Sequence, residues 1–423
     1  MSGGMTPETE GAEPAVSFAE TGPAVVVVGI GADGWSGLAG TAQETLAAAE
    51  VILGGPRQLD LVAGKVTADL VAWPSPLVPA LPGLLARYAG RRLCALASGD
   101  PMFFGLGATL ARTVGARRMH VIAHPSSTTL ACARLGWPTE DVEVVSIVGR
   151  PVERLRRTVS PGRRVLVLSA GAESPAQIAA QLTDDGYGPS RLTVLEQLGG
   201  PGERMYSGVA RDWLHPEGDA LNVVAVECAA EPGARVLGEV PGLPDDAYAN
   251  DGQLTKREIR AVTLAHLAPR PGETLWDVGA GSGSIGIEWM RAHRSCWAIG
   301  VEADAVRAER VRDNADALGV PTLRVVTGIA PEVLSDLPVP DAIFIGGGLT
   351  REGVLDTCWA ALPPGGRLVA NGVTVESESA LAVAQRRFGG SLVRMSIARA
   401  EPVGGFLGWR PGMSVTIWST VKQ

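Results

Sequence analysis

The chain has 423 residues, a formal charge of −8 and 46% hydrophobic residues, with 54 Gly and 30 Pro. This balance excludes a broad nucleic-acid-binding face and fits a globular α/β protein with many tight turns. At roughly 150 residues per domain, the length predicts two or three domains.

Residues 1–22 are acidic and polar and lack a basic-then-apolar signal pattern, so they read as a disordered tail. The first strand is Ala24–Ile30, whose unbroken β-branched run suits a central parallel strand covered on both faces. It ends in the turn Gly29-Ile-Gly-Ala-Asp-Gly34, and a helix is expected through Glu50. Further strands are predicted at Leu93–Ala97, Met119–Ala123, Val165–Leu168, Leu192–Leu195 and Asn222–Val226. Strands alternating with helices argue for a mainly parallel α/β domain over residues 23–232. The Pro/Gly/Asp-rich stretch 233–248 reads as a linker. A second series fills residues 249–423, with strands at Thr274–Val278, Trp297–Val301, Leu323–Val326, Ala342–Ile345 and Arg367–Ala370. Val393–Ala398 and Met413–Trp418 are expected to close that sheet as an antiparallel pair.

Five cysteines stand singly and the five histidines show no ligand spacing, so no metal site is expected. Buried, reduced thiols fit a cytoplasmic protein. No apolar run approaches the ~20 residues that span a bilayer, so no membrane partner is expected.

The chemistry concentrates at strand ends. Trp276-Asp277 runs into Gly279-Ala280-Gly281-Ser282-Gly283, where glycines let backbone amides approach a ligand and the following helix start favours an anion. Gly281-x-Gly283-x-x-Gly286 also matches the dinucleotide fingerprint, which leaves a nicotinamide-dependent reductase open. Asp277 argues for S-adenosylmethionine: its carboxylate can serve an ammonium group but would repel a pyrophosphate. Glu302, ending the next strand, is placed to accept from ribose hydroxyls in either case. Upstream, Thr255-x-x-Glu258 reads as a capping box, and Thr255 is also a cofactor candidate. Lys256, Arg257 and Arg260 form either a solvated face or a clamp for an acidic substrate. Pro340–Gly348 ends a strand in three glycines, so Gly346 and Gly347 are expected on the substrate side. Ala330 is assigned to the same cofactor site.

In the first half, Ser98-Gly-Asp100-Pro-Met-Phe103 and His124-Pro-Ser-Ser-Thr128-Thr129 also end strands in polar turns. With Gly29 and Gly31 they converge on one pocket, which makes Gly29, Gly31, Asp100, Phe103, Thr128 and Thr129 candidates for a second cofactor site.

Residues 25–227 resemble the tetrapyrrole methylases of corrin biosynthesis, through Gly29–Gly34, Ser98–Gly105, Ala133–Trp137 and Leu198–Arg204. Asp251–Ala261, Asp277–Glu288 and Pro340–Gly348 resemble decarboxylating precorrin methyltransferases. Where family members commonly carry a histidine before the Gly-Arg of Ser146–Arg150, this chain has Val148. The resemblance implies a methylase of two α/β subdomains followed by a Rossmann-like class I methyltransferase with a seven-stranded sheet. It implies two S-adenosylmethionine sites and an acidic precorrin substrate, methylated at C5 by the first domain and at C15, with loss of CO2, by the second. A homo-oligomer is expected. Another precorrin methyltransferase and a non-catalytic S-adenosylmethionine sensor are the remaining alternatives.

Overall fold

The computed structural model describes residues 24–423, so the tail expected at 1–22 lies outside the described residues. The chain divides into two compact units. One gathers residues through Val148, Arg163–Ala180 and Ser190–Glu227; the other gathers Gly149–Gly162, Gln181–Pro189 and Cys228–Gln423.

The first unit carries two five-stranded sheets. In the first are β1 (Val25–Ile30), β2 (Val51–Gly54), β3 (Asp69–Ala72), β4 (Leu93–Ser98) and β5 (Met119–Ile122), all parallel in the order β3-β2-β4-β1-β5. Every residue of β1 is buried, as its β-branched run requires. Val26, Val28 and Ile30 pack into one apolar cluster and Val25 and Val27 into another, so the two-residue period of the strand feeds both faces. The second sheet holds β6 (Val142–Ser146), β7 (Arg164–Leu168), β8 (Arg191–Glu196), β9 (Arg204–Val209) and β10 (Asn222–Glu227) in the order β6-β7-β10-β8-β9. Only β6 and β7 are parallel there.

The second unit is built on a seven-stranded sheet. Its strands are β11 (Thr274–Val278), β12 (Trp297–Glu302), β13 (Arg324–Thr327), β14 (Ala342–Ile345), β15 (Arg367–Gly372), β16 (Ser391–Met395) and, after a separate hairpin of β17 (Ala398–Val403) and β18 (Phe406–Pro411), β19 (Val415–Val421). The order is β13-β12-β11-β14-β15-β19-β16. The first five are parallel, and β19 runs antiparallel to both β15 and β16, the closing pair expected from sequence. The winding reverses between β11 and β14, and the crevice outside the carboxyl ends of such strands is where open α/β sheets bind ligands. Apolar clusters line both faces, one holding Leu275, Trp289 and Phe344, the other Trp276, Ile343 and Trp418.

The stretch expected as linker differs over its second half. Leu243 and Tyr248 are each only 3% exposed and belong to the core of the second unit. The amides of Gly242 and Leu243 and the Tyr248 hydroxyl all donate to the buried Glu288 carboxylate. Glu288 therefore fixes this segment, which composition alone presents as a free connection.

Candidate active sites

The larger site lies outside the carboxyl ends of β11, β12 and β14. Leaving β11, the chain turns through Gly279 and Gly281, both with positive φ, before the helix Ser284–Ala292. A Cβ on Gly279 would sit 2.6 Å from both N and Cα of Gly347, so the loop after β11 and the loop after β14 meet glycine against glycine. A cavity of about 440 Å³ occupies the first unit and one of about 700 Å³ opens here. Thr255, Lys256, Gly279, Ala280, Gly281, Glu302, Ala330, Gly346 and Gly347 all line the larger one, so most of the sequence candidates are brought together. Glu302 is 7% exposed; its Oε2 accepts from the Gly281 amide at 2.8 Å and its Oε1 from the Asp304 amide at 3.1 Å. Each oxygen retains a lone pair for a hydroxyl of a ligand.

Other candidates lie elsewhere. Asp277 is 1% exposed and stands beneath the loop, not on the cavity wall. Its Oδ2 accepts from the Gly286 amide at 2.9 Å, while Oδ1 is buried without a partner. Burial pushes this carboxyl up to about 7, opposed by the Gly286 hydrogen bond and reinforced by the charge of Glu302. Ser282 turns away to donate to Gln253 O at 2.7 Å, and Gly283 serves as the N-cap of the helix Ser284–Ala292.

Two basic candidates require correction. Arg260 cannot clamp a substrate carboxylate, because it is fully buried and its guanidinium is already committed. It donates to Glu288 Oε1 at 2.7 Å, to Asp245 Oδ1 at 2.9 Å, and to the carbonyls of Thr255 and Leu243, and it stacks on Tyr248. The helical phase of α-helix Arg257–Leu267 turns it inward while Lys256 faces the cavity. Arg257 is exposed but does not line the cavity. The capping box also does not form: the helix N-cap is Lys256, without a side-chain cap, and Glu258 pairs with Arg399. The hairpin β17–β18, absent from the sequence reading, brings Arg399 to the cavity wall, and Arg351 and Met413 join it there.

In the first unit the smaller cavity lies at the ends of β1, β2, β4 and β5. Gly31, Asp100 and Phe103 line it as expected. Asp100 Oδ1 accepts from the Met102 amide at 2.8 Å and holds the turn. Gly29 does not line it; a Cβ there would meet Gly99 O at 2.1 Å, so this glycine lets adjacent strand ends close up. Thr128 and Thr129 are a further correction, since their hydroxyls face the cap residue Ser126, at 2.7 and 2.9 Å, instead of the cavity. Ser126 caps the helix Ser127–Leu135 through the Thr129 amide, and Ser126 and Ser127 take the wall positions. Val148 forms part of the same wall and is 57% exposed. Ser98, which ends β4 and opens its polar turn, lines it too, as do Arg57, Ser169 and Asn222, which nothing in their local sequence marks.

Among the described residues, no group of three His, Cys, Asp or Glu is placed to hold a metal ion, and no helix is long and apolar enough to cross a membrane. Glycine loops at a sheet's reversal point, a buried acidic strand end and a second strand-end cavity in a separate unit fit a two-domain methyltransferase that uses S-adenosylmethionine. Comparison with known families and proteins agrees. Tetrapyrrole (corrin/porphyrin) methylases match residues 24–213, and the precorrin methyltransferase domain matches residues 246–422. A precorrin-6Y C(5,15)-methyltransferase [decarboxylating] from a Sinorhizobium species is 47% identical over 415 residues, covering 98% of this chain and 99% of its own. One of the same name from Mycobacterium tuberculosis is 46% identical over 403 residues, covering 94% of this chain and 100% of its own. A probable cobalt-precorrin-6B C(15)-methyltransferase (decarboxylating) from Saccharolobus solfataricus is 31% identical over 156 residues, covering 36% of this chain and 78% of its own. The chain belongs to the precorrin-6Y C5,15-methyltransferase (decarboxylating) family, which removes the nicotinamide alternative left by the glycine spacing.

Proposed function

We propose that the chain converts precorrin-6B to precorrin-8X in cobalamin biosynthesis, methylating C5 and C15 of the tetrapyrrole and releasing the C12 acetate carboxyl as CO2. The first domain takes C5, and the second takes C15 and the decarboxylation. The observation that carries this reading is a cavity at parallel strand ends in each unit, the second within, and the first mostly within, a region matched by a methylase family. A relative named for the C15 reaction alone fits a division of labour by domain.

S-adenosylmethionine supplies a sulfonium-activated methyl group, and we assign it one site per domain. In the second domain the donor set fits it. Glu302 offers carboxylate oxygens to hydroxyls, Gly279 and Gly347 present backbone to the cavity, and Asp277, whose carboxyl a cofactor ammonium would ionise, keeps an unpartnered Oδ1 under the loop. Gly346 and Gly347 border the substrate side, and Lys256, whose ammonium lies 4.0 Å from Asp245, lines the same cavity and can turn to an acidic macrocycle. The meso carbons of a reduced tetrapyrrole are enamine-like nucleophiles, so the residues need only hold carbon, methyl and sulfur in line and keep water out. Conjugation of the departing acetate with an iminium-like ring accepts the electron pair left by CO2.

The test is product mass after incubation of the full chain with precorrin-6B and S-adenosylmethionine. Gain of two methyl groups with loss of one CO2 is expected. Any product set without both methyl gains from a folded protein refutes the assignment.

A further inference from the structure

The cavity of the first unit holds one cation, which among the described residues no carboxylate contacts directly. Arg57 stands just past β2, at the start of the helix Pro56–Val62, and lines this cavity. Its guanidinium donates to Ser98 Oγ at 3.0 Å, and among the described residues it forms no ion pair. Gln58 donates to the same Ser98 oxygen at 2.8 Å. Two donors on the Ser98 oxygen leave its own O–H free to donate. Burial lowers the pKa of Arg57, and the more distant Asp219 opposes that shift. Asp219 does not serve as its partner: its carboxylate oxygens accept from Gln197 Nε2 at 2.8 Å and the Leu221 amide at 2.7 Å. A half-buried guanidinium without a counter-ion is costly unless an anion completes it.

The wall formed by the second sheet is also incomplete. Asn222 is 8% exposed, and its Nδ2 donates to the carbonyls of Gly171 and Asp219 at 3.1 and 2.9 Å. Two carbonyl partners fix the amide orientation, and Oδ1 is left buried as an acceptor without a donor. The Ser169 hydroxyl on the same wall is likewise without a partner. These are the deficits of a cavity shaped around a ligand that bears both a carboxylate and N–H groups.

We propose that Arg57, with the Ser98 hydroxyl, binds a side-chain carboxylate of the tetrapyrrole and so sets the macrocycle's position for methylation in the first domain. This rests on the function proposed above. The methyl donor also has a carboxylate, and the distance of Arg57 from the β1 turn favours the tetrapyrrole. Of the candidate cofactor residues, Gly31 follows β1, two strands from β2 and Arg57, whereas Asp100 and Phe103 follow β4, which lies between them. With strands spaced about 4.8 Å apart, that separates Arg57 from the β1 turn by roughly 10 Å.

The test uses the full chain with Arg57→Gln and Arg57→Lys, and the C15 reaction of the same molecule serves as internal control. Expected for Arg57→Gln is a rise of roughly tenfold or more in the KM for precorrin-6B in C5 methylation. S-adenosylmethionine affinity and C15 methylation should be unchanged, and Arg57→Lys should recover part of the loss. An unchanged KM overturns the proposal. So does a loss of S-adenosylmethionine affinity at constant precorrin KM, which would give the carboxylate to the cofactor. Should Arg57→Gln fail to melt cooperatively, the lysine variant carries the measurement, and a KM equal to wild type then overturns the idea. A wild-type chain that never methylates C5 sinks the functional reading first and this inference with it, whereas an active wild type with an indifferent Arg57→Gln sinks only the inference.

Discussion

Asp277 should make the second domain less stable as the pH rises, and Asp277→Asn should remove that dependence. In the folded chain burial raises this carboxyl from 3.8 to about 7. Between those values the native state holds a proton that the unfolded chain has released. Stability therefore falls as pH climbs through the window, because the unfolded state binds fewer protons. Roughly three units at 1.36 kcal/mol each give an upper limit of about 4 kcal/mol. Asparagine keeps the shape and the Gly286 hydrogen bond but cannot ionise. The variant should match wild type near pH 4, exceed it progressively between pH 4 and 7, and keep a constant margin above that. Denaturant unfolding of ligand-free protein at steps from pH 4 to 8 measures this directly. Curves for the two proteins that stay parallel across the range would refute the argument. S-adenosylmethionine adds a second sign: its ammonium favours the ionised carboxylate, so binding should release a proton and tighten as pH rises toward 7. In the variant both effects should vanish, at the expense of affinity.

Arg260→Ala should cost about 3–5 kcal/mol of stability in the second domain, since it leaves the Glu288 carboxylate buried without its cationic partner; a melting temperature equal to wild type would restore Arg260 to the list of substrate contacts. Gly279→Ala places a Cβ 2.6 Å from the Gly347 backbone at a φ of +74°, so C15 methylation and CO2 release should fail while C5 methylation persists. Product mass should then show a single methyl gain, and a full C15 rate would show that the two loops tolerate separation.

The sheets were legible where burial imposes a pattern. The strands at β1, β4, β11, β12 and β14 are almost wholly buried, and their apolar runs announce them. The strands at β3, β6 and β9 are sheet edges with mixed exposure, which erases the pattern. β2 is fully buried but starts at Val51, directly after the helix expected through Glu50, and no break in the apolar pattern separates the two. The hairpin β17–β18 is exposed along both strands, so no core-facing alternation marks it, and Arg399 was lost with it. Glycines were the most readable part of the second site, since Gly279 and Gly347 answer to a backbone contact that no other residue permits.

Charged residues were read less well, and Arg260 and Arg57 show the physical reason. Arg260 stands in a basic cluster at a helix start, which in sequence marks it as a clamp; in the fold two carboxylates and two carbonyls complete it. Arg57 stands in Gly-Pro-Arg-Gln, an ordinary turn into a helix, and in the fold no carboxylate reaches it. The type and spacing of a charge in sequence report only that it exists. What makes it available to a ligand is the set of partners brought to it by distant strands, Glu288 and Asp245 for one arginine and only Ser98 for the other. The arginine left incomplete by the fold, not the one in the densest basic run, is the one positioned to bind an acidic substrate.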